Sequence, residues 1–439
     1  MLKTVRNAFK IKEVRDKLLF TFAMLVVIRI GSQLPLPGIN IQVFTKWYQE
    51  TFQSEAFSFF TAITGGSFEK MSILALGIGP YITSSIIMQL LTIAIPALEE
   101  LQKDGEDGRK KIAAISRYVT VILALIQATA MTISFNNQNL LVSKNVINVV
   151  TCIVALTAGS AFLMWVGERI TEKGVGNGIS VVLVINIISR LPQDLASLFN
   201  QFVLVPGKAP ASAALAAVII VAIILLMVVL VIILNAGVRK IPVQYAKKVQ
   251  GRKMVGGQTS NIPLKINTSG VMPIIFASSL MQTPLVIGSF VAKGNVKWEE
   301  FSKYLSTGYW CNSEMPKYSI GLLAYVLLTI FFAYFYTSVT FNPMMVADNM
   351  KKQGGFIPGI RPGKPTSDYL NAVLNRIVFI GVIGLIIVSV LPIFFNGVFK
   401  ASVSFGGTSL IIIVSVVLET VKQVESQMLV RNYKGFLND

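Results

Sequence analysis

Residue types that usually carry covalent chemistry are scarce in this 439-residue sequence, which contains no histidine. Imidazole metal ligands and imidazole general bases are therefore excluded. Serines of the apolar runs, such as Ser84, Ser85 and Ser278, have no histidine to activate them, and no Ser–Lys pair is visible within a run. The glycine-rich stretch 174–178 lacks the lysine and the spacing of a phosphate-binding loop. We expect no enzyme activity, no cofactor and no metal site.

Charged side chains are also rare inside the apolar runs. Pumps and ion-coupled transporters keep acidic or paired charges within their spans to carry protons or ions. Here Glu168 and Glu419 lie near the predicted cytoplasmic ends of their runs, and Arg29 and Arg190 lie near the outer ends. The pattern predicts a passive path whose driving energy comes from another molecule.

The composition is typical of a polytopic helical membrane protein, with 53% hydrophobic and 14% charged residues. Apolar runs suited to crossing the hydrocarbon core as helices predict ten spans. The runs are residues 18–34, 72–95, 114–135, 147–167, 178–197, 212–235, 268–291, 318–340, 370–395 and 402–421. An even number of spans places both chain termini on the same side of the membrane.

The distribution of positive charge orients the chain. The side that holds the termini carries 28 of the 39 lysines and arginines when alternate connections are counted. Because lysine and arginine are enriched in cytoplasmic loops, this side is predicted to be cytoplasmic. The loops 96–113, 236–266 and 341–369 then lie in the cytoplasm together with both termini.

The loop 198–211 separates five spans from five. Because five is odd, two related halves would lie in opposite orientations, which is the inverted-repeat arrangement of many transport proteins. We therefore predict an all-α membrane protein of ten transmembrane helices in two pseudo-symmetric inverted halves, residues 1–197 and 212–439, joined by an external hinge at 198–211. No strong sequence repeat is visible, so this prediction is geometric.

The segment 57–71 is too short and too polar to span a membrane. It carries Glu69 and Lys70 and is interrupted by Gly65 and Gly66. Irregular backbone at membrane depth is tolerated only where protein or water surrounds it. The segment is interpreted either as a short re-entrant element in a cavity of the bundle or as an external loop with an interfacial turn.

Two cytoplasmic loops are longer than orientation requires. Residues 239–265 carry seven positive charges and no negative charge, with a strand-like stretch at 244–246 and a turn at 256–257. Residues 350–366 form a second basic segment, stiffened by three prolines. Ordinary positive-inside charge explains the sign of these loops but not their length. Docking surfaces for ribosomal RNA or an acidic protein face are therefore favoured.

Five long motifs are spread along the chain: GGSFEKMSILALGIGPYITSSIIMQLL, ITEKGVGNGIS, QGRKMVGGQTSNIPLKINTSGVMPIIFASSL, GIRPGKPT and FGGTSLIIIVSVVLE. Together they resemble the SecY family of bacterial protein-conducting channels, and the resemblance covers essentially the whole chain. It implies an hourglass-shaped pore through one copy, which passes unfolded polypeptides and releases apolar segments sideways into lipid.

The resemblance implies that the pore narrows at a ring of apolar side chains, called the collar below. By motif position, the collar consists of Ile82, Ile86, Leu183, Ile187, Ile275 and Ile412. A narrow apolar ring is a poor path for hydrated ions but can widen around a sliding polypeptide. For any single aliphatic residue, the alternative is lipid contact or core packing.

The same resemblance names the segment 57–71 as a plug that closes the resting pore from outside. Its candidate residues are Phe60, Thr61, Ile63, Thr64, Gly65, Gly66 and Ser67. It also implies a lateral gate between the second and seventh spans. The polar candidates there are Gln89, Thr92, Ser278, Ser279 and Gln282, for which ordinary interhelical hydrogen bonding is the alternative.

The family's partners are implied as well: the small subunits SecE and SecG, the motor ATPase SecA, the ribosome, preproteins that bear signal sequences, and membrane lipids. The candidate docking residues for the motor and the ribosome are Arg239, Lys247, Lys248, Arg252, Lys253, Arg361 and Lys364. The implied location is the bacterial plasma membrane. The alternatives to a protein channel are an inverted-repeat secondary transporter or lipid flippase, and a scaffold for ribosome attachment.

Overall fold

The computed structural model describes residues 9–52, 63–203, 210–245, 248–250, 253–255, 259–291, 296–311, 315–399 and 407–435. The predicted site residues Phe60, Thr61, Lys247 and Arg252 lie outside these ranges. The helices are α1 (Lys12–Gly31), α2 (Ile41–Phe52), α3 (Gly79–Ala94), α4 (Pro96–Lys103), α5 (Glu106–Asn137), α6 (Val146–Lys173), α7 (Gly178–Phe202), α8 (Pro210–Ala236), α9 (Met272–Val291), α10 (Val296–Leu305), α11 (Ile320–Thr340), α12 (Pro343–Lys352), α13 (Lys364–Phe399) and α14 (Gly407–Gly435).

A helix occupies each of the ten apolar runs predicted to span the membrane: α1, α3, α5, α6, α7, α8, α9, α11, α13 and α14. By length and composition alone, six helices of the described residues could cross a membrane, or seven if the bent pair α3 and α4 counts as one span. This pair bends by 105° at its break, next to Pro96. The count of ten therefore stays a prediction, whereas the position of a helix at each run is observed.

The second predicted run, 72–95, is helical only from Gly79 onward. Residues 72–78 form turns, with Gly77 at a φ of +61°, and Pro80 occupies the first turn of α3, where its missing N–H has no helical partner to lose. Short backbone hydrogen bonds tie this stretch to the connection after α1: Leu36 N–H donates to Met71 O at 2.9 Å, and Ile73 N–H donates to Leu34 O at 3.0 Å. Residues 72–78, which precede α3, thus form turns that backbone hydrogen bonds fix in place.

The ten long helices pack as two groups with the same plan. In the first group the packed pairs include α3–α5, α5–α6, α6–α7, α1–α6 and α1–α7. In the second group the pairs are α9–α11, α11–α13, α13–α14, α8–α13 and α8–α14. Each of these pairs in one group has its counterpart five long helices along the chain, which is the arrangement expected if the two predicted halves repeat one structure.

The two groups meet through α7 with α8 and α14, through α5 with α9, and through α1 with α14. Helices of both groups therefore surround one central region, to which α3, α7, α9 and α14 contribute the collar residues.

A small antiparallel sheet stands on the side of the predicted cytoplasmic loops. Strand β1 (Val238–Tyr245) pairs with β4 (Thr259–Lys265) and with β5 (Gly355–Phe356), so the sheet order is β4-β1-β5. Strands β2 (Lys248–Gln250) and β3 (Lys253–Val255) form a separate ribbon at the hairpin tip. The inward side chains Ile241 and Val243 alternate along β1 and pack over α12 and α13. The predicted all-α class describes the membrane part, and this sheet is an addition to it.

Candidate functional site

The six collar residues lie in one apolar cluster at the centre of the bundle. They come from four helices that are far apart in sequence, and each is 8% exposed or less. On α7, Leu183 and Ile187 are one helical turn apart and therefore share a face. The cluster also includes Ile63, a candidate plug residue, and Ile78 at the start of α3. A side chain of the plug segment thus belongs to the same apolar cluster as the collar.

One side of the collar borders a cavity of about 540 Å³. Three collar residues, Ile82, Leu183 and Ile275, line it. Most of its other lining is polar: Ser85, Gln89, Asn177, Ser180, Asn235, Lys265, Asn267, Thr268, Ser269, Thr340, Ser415, Glu419 and Lys422. Because Lys265 ends β4 and Lys422 follows the apolar run 402–421, the cavity faces the side with the small sheet. The cavity thus combines many polar side chains with the apolar side chains of the collar at one end.

Helix α7 shows the order of features along the axis of the bundle. Ser180 lines the cavity, Leu183 and Ile187 belong to the collar, and Arg190 contacts the plug segment. At 1.5 Å per residue, the ten residues from Ser180 to Arg190 cover about 15 Å. The cavity, the collar and the plug segment are thus stacked over half the thickness of a bilayer's hydrocarbon core.

Polar side chains of α1 and α7 bind the backbone of the plug segment. The Nδ2 of Asn186 donates to Ile63 O at 2.9 Å, and Asn186 is buried. Gly65 O accepts from Ser189 Oγ at 3.3 Å and from Arg29 Nη1 at 3.4 Å. The plug segment is therefore held on the side of the collar opposite the cavity.

One ion pair also joins the plug segment to α7. The Nη1 of Arg190 lies 2.9 Å from Glu69 Oε2, and the two side chains are 13% and 34% exposed. The next residue, Lys70, donates instead to Gln33 Oε1 at 2.7 Å in an exposed bond.

Gly65 has a φ of +63°, and a Cβ on it would stand 2.8 Å from the Asn186 Cα. The turn at Gly65 and Gly66, called the plug turn below, therefore approaches α7 as closely as a glycine allows.

The two basic loops predicted as docking surfaces share one sheet. Gln244 pairs with Phe356, and Tyr245 pairs with Gly355, which joins the hairpin of β1 and β4 to the second loop. Arg239, Arg361 and Lys364 are exposed. The backbone of the Arg361 turn is fixed because Thr366 Oγ1 donates to Arg361 O at 2.8 Å. Lys248 and Lys253 lie on the ribbon strands β2 and β3, beyond this sheet.

Comparison with known proteins identifies the chain's relatives. A family model described as SecY matches residues 72–421. The protein translocase subunit SecY of Streptomyces galbus is 41% identical over 452 residues, with 100% of both chains covered. This chain belongs to the SecY family.

Solved structures share the fold of this SecY-family chain. A structure described as a protein conducting channel aligns with a TM-score of 0.67 at 20% identity, covering 94% of this chain and 92% of that one. Sec61 from a canine ribosome-channel complex aligns with a TM-score of 0.64 at 18% identity, with coverage of 94% and 92%. These similarities confirm the predicted helical membrane fold.

The lateral-gate candidates of this SecY-family chain fall into two groups. Helix α3 begins after the plug segment, whereas α9 begins after β4 on the side of the sheet, so the two helices run in opposite directions past the collar, and Gln89 lines the cavity. Gln89 is seven residues beyond Ile82, and Gln282 is seven residues beyond Ile275. At 1.5 Å per residue, Gln89 lies only about 5 Å beyond Ile86, the nearer collar residue of α3, and Gln282 lies about 10 Å beyond Ile275, on the opposite side of the collar. Gln89 and Gln282 are therefore not brought together.

Two of the remaining gate candidates, Thr92 and Ser279, take part in contacts within their own helices. Thr92 is buried and donates to Gln89 O at 2.8 Å. Ser279 O accepts from Thr283 Oγ1 at 2.7 Å, and Ser278 is buried. Ordinary helix-internal hydrogen bonding accounts for these observed contacts.

Sequence reasoning missed the side chains that hold the plug segment. Asn186 and Arg190 lie in an apolar run, where a polar residue needs a partner, and Arg29 lies near the end of another such run. The presence of these polar residues in apolar runs was the sequence signal that could have identified them. Their partners could not be derived from it because Ile63 and Glu69 are more than 100 residues away from α7.

Proposed function

We propose that the collar is the constriction through which this chain passes unfolded polypeptides across a membrane. As a member of the SecY family, the chain is a pore-forming subunit of a protein translocation channel. The observation that carries the proposal is the convergence of six apolar side chains between a polar cavity and the plug segment. No covalent step is needed at such a site, and the driving energy comes from a partner.

The collar's chemistry suits this task. Flexible aliphatic side chains offer no hydrogen bonds to a hydrated ion, so a narrow ring of them opposes ion flow. The same side chains can change rotamer around a moving polypeptide. An apolar segment of that polypeptide gains free energy by leaving the pore for lipid, the same preference that inserts any membrane helix.

The plug segment closes the resting pore in this proposal. Ile63 belongs to the same cluster as the collar, and its backbone is bonded to Asn186. Opening therefore requires Ile63 to leave the collar and the plug turn to leave α7. The cavity on the other side stays accessible to an incoming chain.

The sheet that joins both basic loops is the proposed docking surface for the motor ATPase SecA and for the ribosome. Arg239, Arg361 and Lys364 supply exposed positive charge on a folded base, which suits ribosomal RNA or an acidic protein face. The similarity to Sec61 from a ribosome-channel complex supports the ribosome as a partner. SecE and SecG are proposed as companion subunits, and the bacterial plasma membrane with cytoplasmic termini as the location.

Crosslinking an arrested precursor tests the pore. Cys152 and Cys311 are first replaced by serine, and a single cysteine is then placed at Ile275 in the collar or at the exposed Ile188 of α7. The complex is reconstituted with its partners, and a precursor with a folded end is arrested during import. We expect crosslinks from the arrested chain to position 275 and not to position 188. Crosslinks at position 188 alone would show that the arrested polypeptide does not pass through the collar.

Docking has its own test. Arg361→Glu reverses a charge on a turn that Thr366 already fixes, so the fold is expected to remain intact. Motor-dependent import should fall at least tenfold, since a like charge now faces the partner. Import at the normal rate with normal expression would exclude Arg361 from docking.

A further inference from the structure

Two strong contacts tie the plug segment to one face of α7, and neither belongs to the collar. They are the hydrogen bond from Asn186 to Ile63 O and the ion pair of Arg190 with Glu69, both at 2.9 Å. Asn186 and Arg190 are one helical turn apart and so share a face. Ile187, next to Asn186, points into the collar cluster. Helix α7 thus carries a sealing face and a separate polar face that holds the plug.

We propose that Asn186 and Arg190 form a latch whose ion pair with Glu69 sets the cost of opening the resting pore. The proposal rests on the plug role given above and adds the residues that regulate it. Arg29 and Ser189 contribute weaker contacts to Gly65 O at 3.4 Å and 3.3 Å. Ser189 Oγ also donates to Asn186 O at 2.6 Å, so its single hydrogen is shared and its part is minor.

The partial burial of the ion pair determines how much it stabilises the seated plug. The Arg190 side chain is 13% exposed, and the Glu69 side chain is 34% exposed, so the pair is only partly hydrated while the plug is seated. Removing the carboxylate leaves a mostly buried guanidinium without its partner, which destabilises the seated state. When the plug leaves, water can hydrate the guanidinium, so removing the carboxylate changes the free energy of the open state only slightly. The change therefore shifts the balance toward opening.

The partial exposure of Glu69 limits the size of this effect. A fully exposed pair would contribute almost nothing, and a fully buried pair broken on one side would be very costly. This pair lies between the two limits, and we expect roughly a tenfold increase in the open fraction when either charge is removed.

The test measures the resting leak of the complete channel complex reconstituted in vesicles, with iodide as the probe ion and no precursor present. Glu69→Gln and Arg190→Gln should each raise the leak about tenfold. Lys70→Gln is the matched control, because it removes a neighbouring charge that bonds Gln33 in an exposed contact. This variant should stay as tight as the parent. The charge exchange of Glu69→Arg with Arg190→Glu should restore most of the seal.

Import of a precursor with its motor, measured on the same vesicles, separates this proposal from the function itself. The latch variants should import at least as fast as the parent, since a lower cost of opening does not slow the entry of a chain. A resting leak of Glu69→Gln equal to that of the parent, or a Lys70→Gln leak equal to that of Glu69→Gln, overturns the latch while the channel function stands. Failure of the parent complex to import any precursor would instead overturn the proposed function.

Discussion

Two adjacent glycines of the plug turn offer a matched comparison. Both Gly65 and Gly66 have a positive φ, +63° and +78°. A Cβ on Gly65 would stand 2.8 Å from the Asn186 Cα, 2.9 Å from its Cβ and 3.0 Å from its carbonyl oxygen. A Cβ on Gly66 would meet only Arg190 Nη1, at an ordinary 3.7 Å. Substitution by alanine therefore imposes the same backbone strain at both positions but a collision at Gly65 alone.

The difference in opening can be worked out from these distances. A left-handed conformation costs an alanine about 1–2 kcal/mol, and this cost is common to both variants. At Gly65 the turn must also move away from the backbone of α7. That movement lengthens the Asn186 hydrogen bond to Ile63 O, which is worth about 1 kcal/mol. Because about 1.4 kcal/mol corresponds to a factor of ten, a loss of about 1 kcal/mol means that Gly65→Ala should favour opening roughly fivefold more than Gly66→Ala.

The assay is the iodide leak of the reconstituted complex without a precursor. Gly66→Ala should leak moderately more than the parent, and Gly65→Ala should leak roughly five times more than Gly66→Ala. Equal leaks from the two alanine variants would refute the reasoning, since only the collision with Asn186 distinguishes them. A Gly65→Ala channel as tight as the parent would show that the plug turn does not rest against α7.

Three further predictions concern the collar, a buried tryptophan and the docking sheet. Ile187→Ser should raise the ion leak because it places a hydroxyl in the collar cluster, whereas the same change at the exposed Ile188 should not; equal leaks would contradict the collar. Trp310→Ala should lower stability by about 3–5 kcal/mol, measured by thermal unfolding, because the indole is fully buried and donates to Tyr304 O at 2.9 Å; an unchanged transition would contradict this. Gly355→Val should push β5 away from the Tyr245 ring, which a Cβ would meet at 2.8 Å, and so slow motor-dependent import without a leak. Normal import by this variant would separate docking from the sheet.

Much of the fold could be predicted from the sequence. Apolar runs placed a helix at each of ten positions, and breaks at Gly77 and Pro80 coincide with the late start of α3 at Gly79. The six collar positions, taken from a family resemblance, all lie in one cluster. The observed helix positions agree with the predicted ones because hydropathy and helix breaking are local properties that each segment carries by itself.

The small sheet shows where local patterns were insufficient. A strand-like stretch was predicted near 244–246, within reach of β1, but the pairing of Tyr245 with Gly355 was not. This pair joins two loops that two long helices, α9 and α11, separate in sequence. No periodicity within either loop contains that information, since register between distant strands is decided when their supporting helices pack.

The sequence by itself determined where this chain forms apolar helices, because composition and period decide which segments can enter lipid. The tertiary structure alone decided that Asn186 and Arg190, which look misplaced in an apolar helix, hold the plug segment over the collar. A buried polar group needs a partner, but which partner it finds depends on packing across more than 100 residues of chain.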